Sequence, residues 1–155
     1  MNGLQNIAIV PFNAAYQAQA KDLILAGLVE HWGTLNPGKN PDLDDISSSY
    51  ASGLFLVALK ESIVIGTGAI IPRPGNSAEI VRMSVAANMR RNGIGNLILS
   101  KLCNHARSIG CRKVVLETTD SWHEVIAFYK RYGFQISHHL DGDVYFRMDL
   151  TTNLR

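Results

Sequence analysis

The amino-acid sequence predicts a mixed α/β chain, a sheet of seven strands with helices packed on it. Three observations predict it. Short β-rich runs alternate with helical patterns in the order β-α-α-β-β-β-α-β-α-β-β. One run, residues 113–118, has a continuous apolar centre in Val114, Val115 and Leu116, as a buried central strand does. The stretch Arg90-Arg91-Asn92-Gly93-Ile94-Gly95 follows a strand and opens an amphipathic helix. At 155 residues, 46% of them apolar and 18% charged, the chain is long enough for one core and too apolar to stay disordered.

Residues 7–12 read as the first strand, closed by Pro11 and Asn13. Residues 14–33 carry helical periodicity, with Ala18, Leu23, Ile24, Leu25 and Leu28 on the apolar side. Asn36-Pro37-Gly38 marks a loop over 34–40. Pro41-Asp42-Leu43-Asp44-Asp45-Ile46 reads as the acidic start of a short second helix reaching Tyr50, where negative charge suits the helix dipole. Residues 54–59 and 62–71 are β-rich runs joined at Lys60-Glu61 as a hairpin. After a loop over 72–76, residues 79–85 form the next strand, with Val81, Met83 and Val85 alternating against Arg82 and Ser84.

Residues 94–109 are helical. Leu99, Leu102, Cys103 and Ala106 share one side, Asn96, Ser100, Asn104, Arg107 and Ser108 the other, and Gly110 stops the helix. The strand over 113–118 leads to Ser121-Trp122-His123-Glu124, a capping-box pattern. Its helix ends at Arg131 or Tyr132, before Gly133. Residues 134–139 and 144–150 close the chain as a hairpin around Asp141-Gly142.

A net charge of +2 argues against a dedicated nucleic-acid binder. Cys103 and Cys111 match neither a metal knuckle nor a redox pair, so reduced thiols in the cytoplasm are expected. Residues 1–10 lack the basic, then apolar, pattern of a signal peptide, and no apolar run approaches a membrane span. His138 and His139 alternate across a strand and cannot share a metal on one face; no metal, nucleic-acid or membrane partner is expected.

The glycine turn carries the chemistry. Gly93 and Gly95 allow a tight turn and close backbone approach to a ligand. The helix that begins there offers unpaired N–H groups and the positive end of its dipole, and Arg90 and Arg91 add charge. This is a site for a phosphate or pyrophosphate, hence for a nucleotide-like cofactor. A Walker A ending is absent, and Ile98 stands where a dinucleotide fingerprint needs its third glycine.

Arg90-x-x-Gly93-x-Gly95, placed between strand and helix, resembles the R/Q-x-x-G-x-G/A signature of the GNAT superfamily of acyl-CoA-dependent N-acetyltransferases. Ala127-Phe128-Tyr129-Lys130-Arg131-Tyr132-Gly133-Phe134 resembles that family's A-x-x-F/L-Y-x-x-x-G-F segment. The resemblance covers roughly residues 53–150. It implies an α+β, GNAT-like fold and a single N-acetyltransferase domain over 1–155. The twisted mixed sheet would carry helices on both faces and a V-shaped splay between the fourth and fifth strands. Acetyl-CoA would be the cosubstrate, with no metal. Its pyrophosphate would rest on Arg91, Asn92, Gly93, Ile94, Gly95 and Asn96, beside Arg90. Its pantetheine arm would pair along Met83, Ser84 and Val85 like an added strand, and a backbone N–H there would hold the oxyanion. Phe128 would join the cofactor site, and His123 would stand near the family's pantetheine-bonding asparagine.

By the same resemblance Tyr129 is the general acid, although its helical stripe with Trp122, Val125, Ile126 and Tyr132 also suits a core tyrosine. Glu79, on the side of Val81 and Met83 under strict alternation unless a bulge changes it, is the general-base candidate acting through water, against the plainer reading of a strand-end carboxylate; Glu117 is the second candidate. Asp42, Asp44, Asp45, Asp141 and Asp143 either attract a cationic amine or serve helix starts and turns. The implied reaction is direct acetyl transfer to a primary amine, with a small molecule or amino acid preferred and a homodimer plausible by family. The rivals are a non-catalytic acyl-CoA sensor or interaction module, and an RNA or protein interaction domain built on Arg90, Arg91, Arg112, Lys113, Lys130 and Arg131.

Overall fold

The computed structural model describes residues 6–34 and 39–150. The expected Asn36-Pro37-Gly38 turn lies outside them. The strands are β1 (Ile7–Pro11), β2 (Leu54–Lys60), β3 (Ile63–Arg73), β4 (Ser77–Val85), β5 (Lys113–Thr119), β6 (Gln135–Leu140) and β7 (Asp143–Asp149). The helices are α1 (Gln17–Trp32), α2 (Ile46–Ser49), α3 (Ile94–Ser108) and α4 (His123–Tyr132). The strands form one seven-stranded sheet in the order β1-β2-β3-β4-β5-β7-β6. Strands β4 and β5 run parallel, and their ladder covers only Ser77–Glu79 against Lys113–Val115. It stops there, which is the expected splay between the fourth and fifth strands.

The chain divides into two compact units, the first holding residues up to Ile71 and Val81–Leu102, the second Pro72–Ile80 and the chain from Cys103 onward. In the first unit, β2 pairs antiparallel with β1 and β3. Ala20 and Ile24 of α1 pack with Leu43, Ile46, Phe55, Val57, Val64 and Ala69 in a buried cluster. Gly68 of β3 faces α3 instead. A Cβ there would sit 2.6 Å from Ile98 Cγ2 and 2.6 Å from Met83 Sδ, so only a glycine leaves room for this packing.

Two local expectations for this unit are corrected. The second helix does not run unbroken from Pro41. A 3₁₀ turn covers Pro41–Asp44, Asp45 is non-helical, and α2 is a separate four-residue turn. Asp45 accepts a hydrogen bond from the Ser48 N–H (3.1 Å), so this acid caps a helix start in the middle of the segment. The β2–β3 turn is Glu61-Ser62, both at positive φ (52° and 69°), one residue later than Lys60-Glu61.

In the second unit, β7 pairs antiparallel with β5 and β6. Val114, Leu116, Val144 and Phe146 supply buried side chains, joined by Tyr129 and Phe134. Asp141 (φ 51°) and Gly142 (φ 86°) make the closing turn, as the sequence predicts. The expected capping box does not form. Trp122 occupies the N-cap of α4 and makes no side-chain cap hydrogen bond, while the Ser121 carbonyl accepts from the His123 N–H at 3.1 Å. Among the described residues no helix is long and apolar enough to cross a membrane, and no three His, Cys, Asp or Glu cluster as metal ligands.

Candidate active site

Strand β4 passes through a 3₁₀ turn at Ala87–Met89 into the glycine turn. Arg91 (φ 67°) and Gly93 (φ 85°) are both left-handed. The Asn92 side-chain amide donates to the Met89 carbonyl (3.1 Å) and braces the turn from inside. The Leu97 N–H bonds the Gly93 carbonyl (3.1 Å), so Gly93 is the N-cap of α3. A helix started there leaves the N–H groups of Ile94, Gly95 and Asn96 without intrahelical partners, at the positive end of the dipole. Ile94, Ile98 and Leu99 are buried and fix the direction in which those donors point. The arrangement suits an anion with several oxygens.

Arg90 has protein partners as well as its place beside the turn. Its guanidinium donates to both oxygens of Glu30 on α1, each at 2.7 Å, and its Nε donates to the Val85 carbonyl at 3.0 Å. The hydrogen bond from Arg90 lowers the Glu30 carboxyl below its ordinary range. Arg90 thus ties the end of β4 and the glycine turn to α1.

Upstream, β4 does not alternate strictly. Val81 packs against the α1 cluster, whereas Met83 approaches Gly68 beside Ile98 and Leu102 of α3. Val81 and Met83 therefore lie on opposite faces, which corrects the expected alternation. The cause is Arg82, left-handed at φ 57° in mid-strand. A non-glycine residue in this region costs about 1–3 kcal/mol and persists only where its surroundings over-determine it. Here they do. Thr67, fully buried, donates from its hydroxyl to the Arg82 carbonyl (2.8 Å). The Arg82 guanidinium donates to both Asp42 oxygens (2.9 and 2.7 Å) and to Asn40 Oδ1 (3.1 Å). The Tyr50 hydroxyl donates to the same carboxylate at 2.5 Å. Burial opposes the charge on Asp42, but the hydrogen bonds from Arg82 and Tyr50 and the Arg82 charge bring its pKa below the ordinary value. Asp44 pairs with Lys21 at 2.7 Å. All three acids of this segment therefore have structural partners.

In the second unit, Tyr129 is 6% exposed. Its ring lies against Phe128, Phe134 and Phe146, with centroids 5.0, 5.7 and 5.9 Å away. Burial alone raises the pKa of its phenol, which keeps it protonated at neutral pH. His123 is exposed at the first position of α4, and Phe128 is half-buried. Glu79 accepts from Arg73 through Nε (2.8 Å) and a terminal nitrogen (2.6 Å). The Glu117 carboxyl is raised above its ordinary value by burial, then by the charges of Asp143 and Glu79, while a hydrogen bond with Tyr145 opposes the shift. Tyr145 lies opposite Glu117 in the β5–β7 ladder, and His138 stacks flat on it at 4.5 Å. Burial pushes the Cys103 thiol up to about 11, which leaves it a poor nucleophile at neutral pH.

The turn residues and Met83, Ser84 and Val85 thus belong to the first unit, and Glu79, Glu117, His123, Phe128 and Tyr129 to the second. The sequence reading missed the partners Glu30, Tyr50 and Tyr145. Only Tyr145 had a sequence signal, its place on a strand that alternates opposite Glu117.

A mixed seven-stranded sheet with a short parallel ladder, and a glycine turn opening a helix after one of its two strands, define an acyltransferase-type fold. The pattern of the Acetyltransferase (GNAT) family matches residues 14–134, and the chain belongs to that family. It is 29% identical over 103 residues to probable N-acetyltransferase 14 of Xenopus tropicalis, covering 64% of this chain and 50% of that protein. The chain spans about half the length of such relatives. A GNAT-family acetyltransferase from Staphylococcus aureus Mu50 superposes with a TM-score of 0.85 at 22% identity, over 94% of this chain and 99% of that one. A PaiA N-acetyltransferase from Thermoplasma acidophilum, solved in complex with coenzyme A, superposes with a TM-score of 0.80 at 16% identity, over 92% and 98%.

Proposed function

We propose that this chain is an N-acetyltransferase that moves an acetyl group from acetyl-CoA to the primary amine of a small molecule or amino acid, by direct attack in a ternary complex. Residues 1–155 act as one N-acetyltransferase domain. The observation that carries the reading is the left-handed turn at Gly93, which opens α3 with three N–H donors downstream of a β4 that is left-handed at Arg82. The pyrophosphate of acetyl-CoA binds those donors. The pantetheine arm pairs along the backbone of Met83, Ser84 and Val85.

The neutral amine attacks the thioester carbonyl and a C–N bond forms. Negative charge moves to the carbonyl oxygen, where a backbone N–H in residues 83–85 stabilises it. The intermediate collapses, the C–S bond breaks, and the leaving thiolate takes the proton of the Tyr129 phenol. The ammonium proton passes through water to a carboxylate, Glu79 or Glu117, and a proton returned through water restores the Tyr129 phenol. Glu117 suits this task because its pKa is raised, whereas Arg73 engages Glu79.

Calorimetric titration with acetyl-CoA, followed by a thiol-release assay over a panel of primary amines, tests the reading. Binding with amine-dependent thiol release is expected. Binding without release from any amine would mean a sensor, and no binding would remove the assignment.

A further inference from the structure

Arg82, Asp42 and Tyr50 form a clamp whose purpose is not explained by packing alone. Its links are continuous. The Tyr50 ring sits edge-on against buried Phe55, with centroids 5.2 Å apart. Its hydroxyl holds Asp42, Asp42 holds the Arg82 fork, and Thr67 holds the Arg82 carbonyl. Every link bears on one backbone position, the left-handed residue in β4. In a strand, one irregular residue flips the facing of everything after it. The clamp therefore decides which way Met83, Ser84 and Val85 turn. Met83 meets Gly68 beside α3, and Ser84 Oγ lies where a Cβ on Gly27 of α1 would come within 3.2 Å.

We propose that Arg82 is a positioning residue. Clamped by Asp42 and Asn40, it keeps β4 in the left-handed bend that aims the backbone of residues 83–85 at the acyl arm of the cofactor. The inference rests on the acetyl-CoA reading above. Freed from Asp42, Arg82 relaxes toward extended φ, and residues 83–85 lose their aim. The glycine turn, braced by Asn92 and by the Arg90–Glu30 pair, keeps its own geometry.

The test is titration of coenzyme A into the ¹⁵N-labelled full chain, wild type and Asp42→Asn, following the amides of residues 83–85 and 93–96. In the wild type both stretches should shift. In Asp42→Asn the shifts at 83–85 should be lost while those at 93–96 remain. Shifts retained at both stretches in the variant would overturn the inference. Loss at both in a folded variant would overturn it too, since the clamp would then support the whole unit. A wild-type response confined to 93–96 would overturn it and leave phosphate binding intact. No wild-type response at all would remove the coenzyme A reading and this inference together. Should Asp42→Asn fail to fold, Arg82→Lys, which keeps the charge and loses the fork, is read by the same outcomes.

Discussion

Glu30 and Arg90, 60 residues apart in the chain, meet in two parallel bonds of 2.7 Å. The pair joins α1 to the turn that follows β4, and the same arginine holds the Val85 carbonyl. On the proposed acetyl-CoA reading, Arg90 acts on the cofactor by fixing the turn. Glu30→Gln and Arg90→Gln should each weaken coenzyme A binding. The pair is exposed, so each loss should be at most about fivefold, in line with about 0.2–1 kcal/mol for such pairs. The double variant should lose little more than the worse single one, because both remove one link. Calorimetry reads all three. Tighter binding by Glu30→Gln would instead mean that Arg90 reaches the phosphates once released.

Tyr129→Phe removes a hydroxyl and keeps a ring packed among Phe128, Phe134 and Phe146. Stability should change little. As the loss of a general acid, the change should lower kcat about 10²-fold or more while acetyl-CoA affinity holds. Steady-state rates beside calorimetry measure the split. A full kcat would make Tyr129 a core residue only.

The order of elements was legible because each depends on local signals: periodicity, a glycine stop, a turn pair. Strand β5 and helix α3 lie within a residue of their expected bounds. What was illegible depends on contacts distant in sequence. Arg82 looks like an ordinary outward strand residue until Asp42, 40 positions away, is seen to hold it. The strict alternation expected for Val81 and Met83 failed for the same reason, since no local signal marks a non-glycine residue as left-handed. Likewise the charge of Arg90 is legible, but its partner Glu30, 60 positions away, is not. The capping box at Ser121 failed by one position, within the usual uncertainty of helix ends.

Asp42 gives the fold an acid limit. Its folded pKa lies below the ordinary 3.8, so its pairing stabilises the protein fully above that value. The contribution is lost as pH falls through the depressed folded value. Asp42→Asn should cost about 1.5–3 kcal/mol at pH 7, the range for hydrogen bonds to charged groups. The gap between variant and wild type should narrow toward zero below the folded pKa. Urea unfolding of both proteins at neutral and strongly acidic pH checks the sign. A gap independent of pH would show that the charge on Asp42 is not what holds Arg82.

Glu117 makes a specific prediction for the acid side of the rate profile. Burial, Asp143 and Glu79 together lift the Glu117 carboxyl above 4.5. A base must be ionised to act, so if Glu117 is the base the acid limb of kcat/KM lies above 4.5. Asp143→Asn removes one raising charge and should move that limb down while kcat survives. Glu117→Gln should abolish the limb and lower kcat about 10²-fold. A limb that persists in Glu117→Gln would give the role to Glu79. Instability cannot imitate this result. A carboxyl whose pKa rises on folding loses stability as pH climbs from its unfolded to its folded value, so at pH 7 its ionised form opposes folding. Neutral Gln at position 117 relieves that opposition, and a variant that is inactive yet no less stable at pH 7 has lost chemistry.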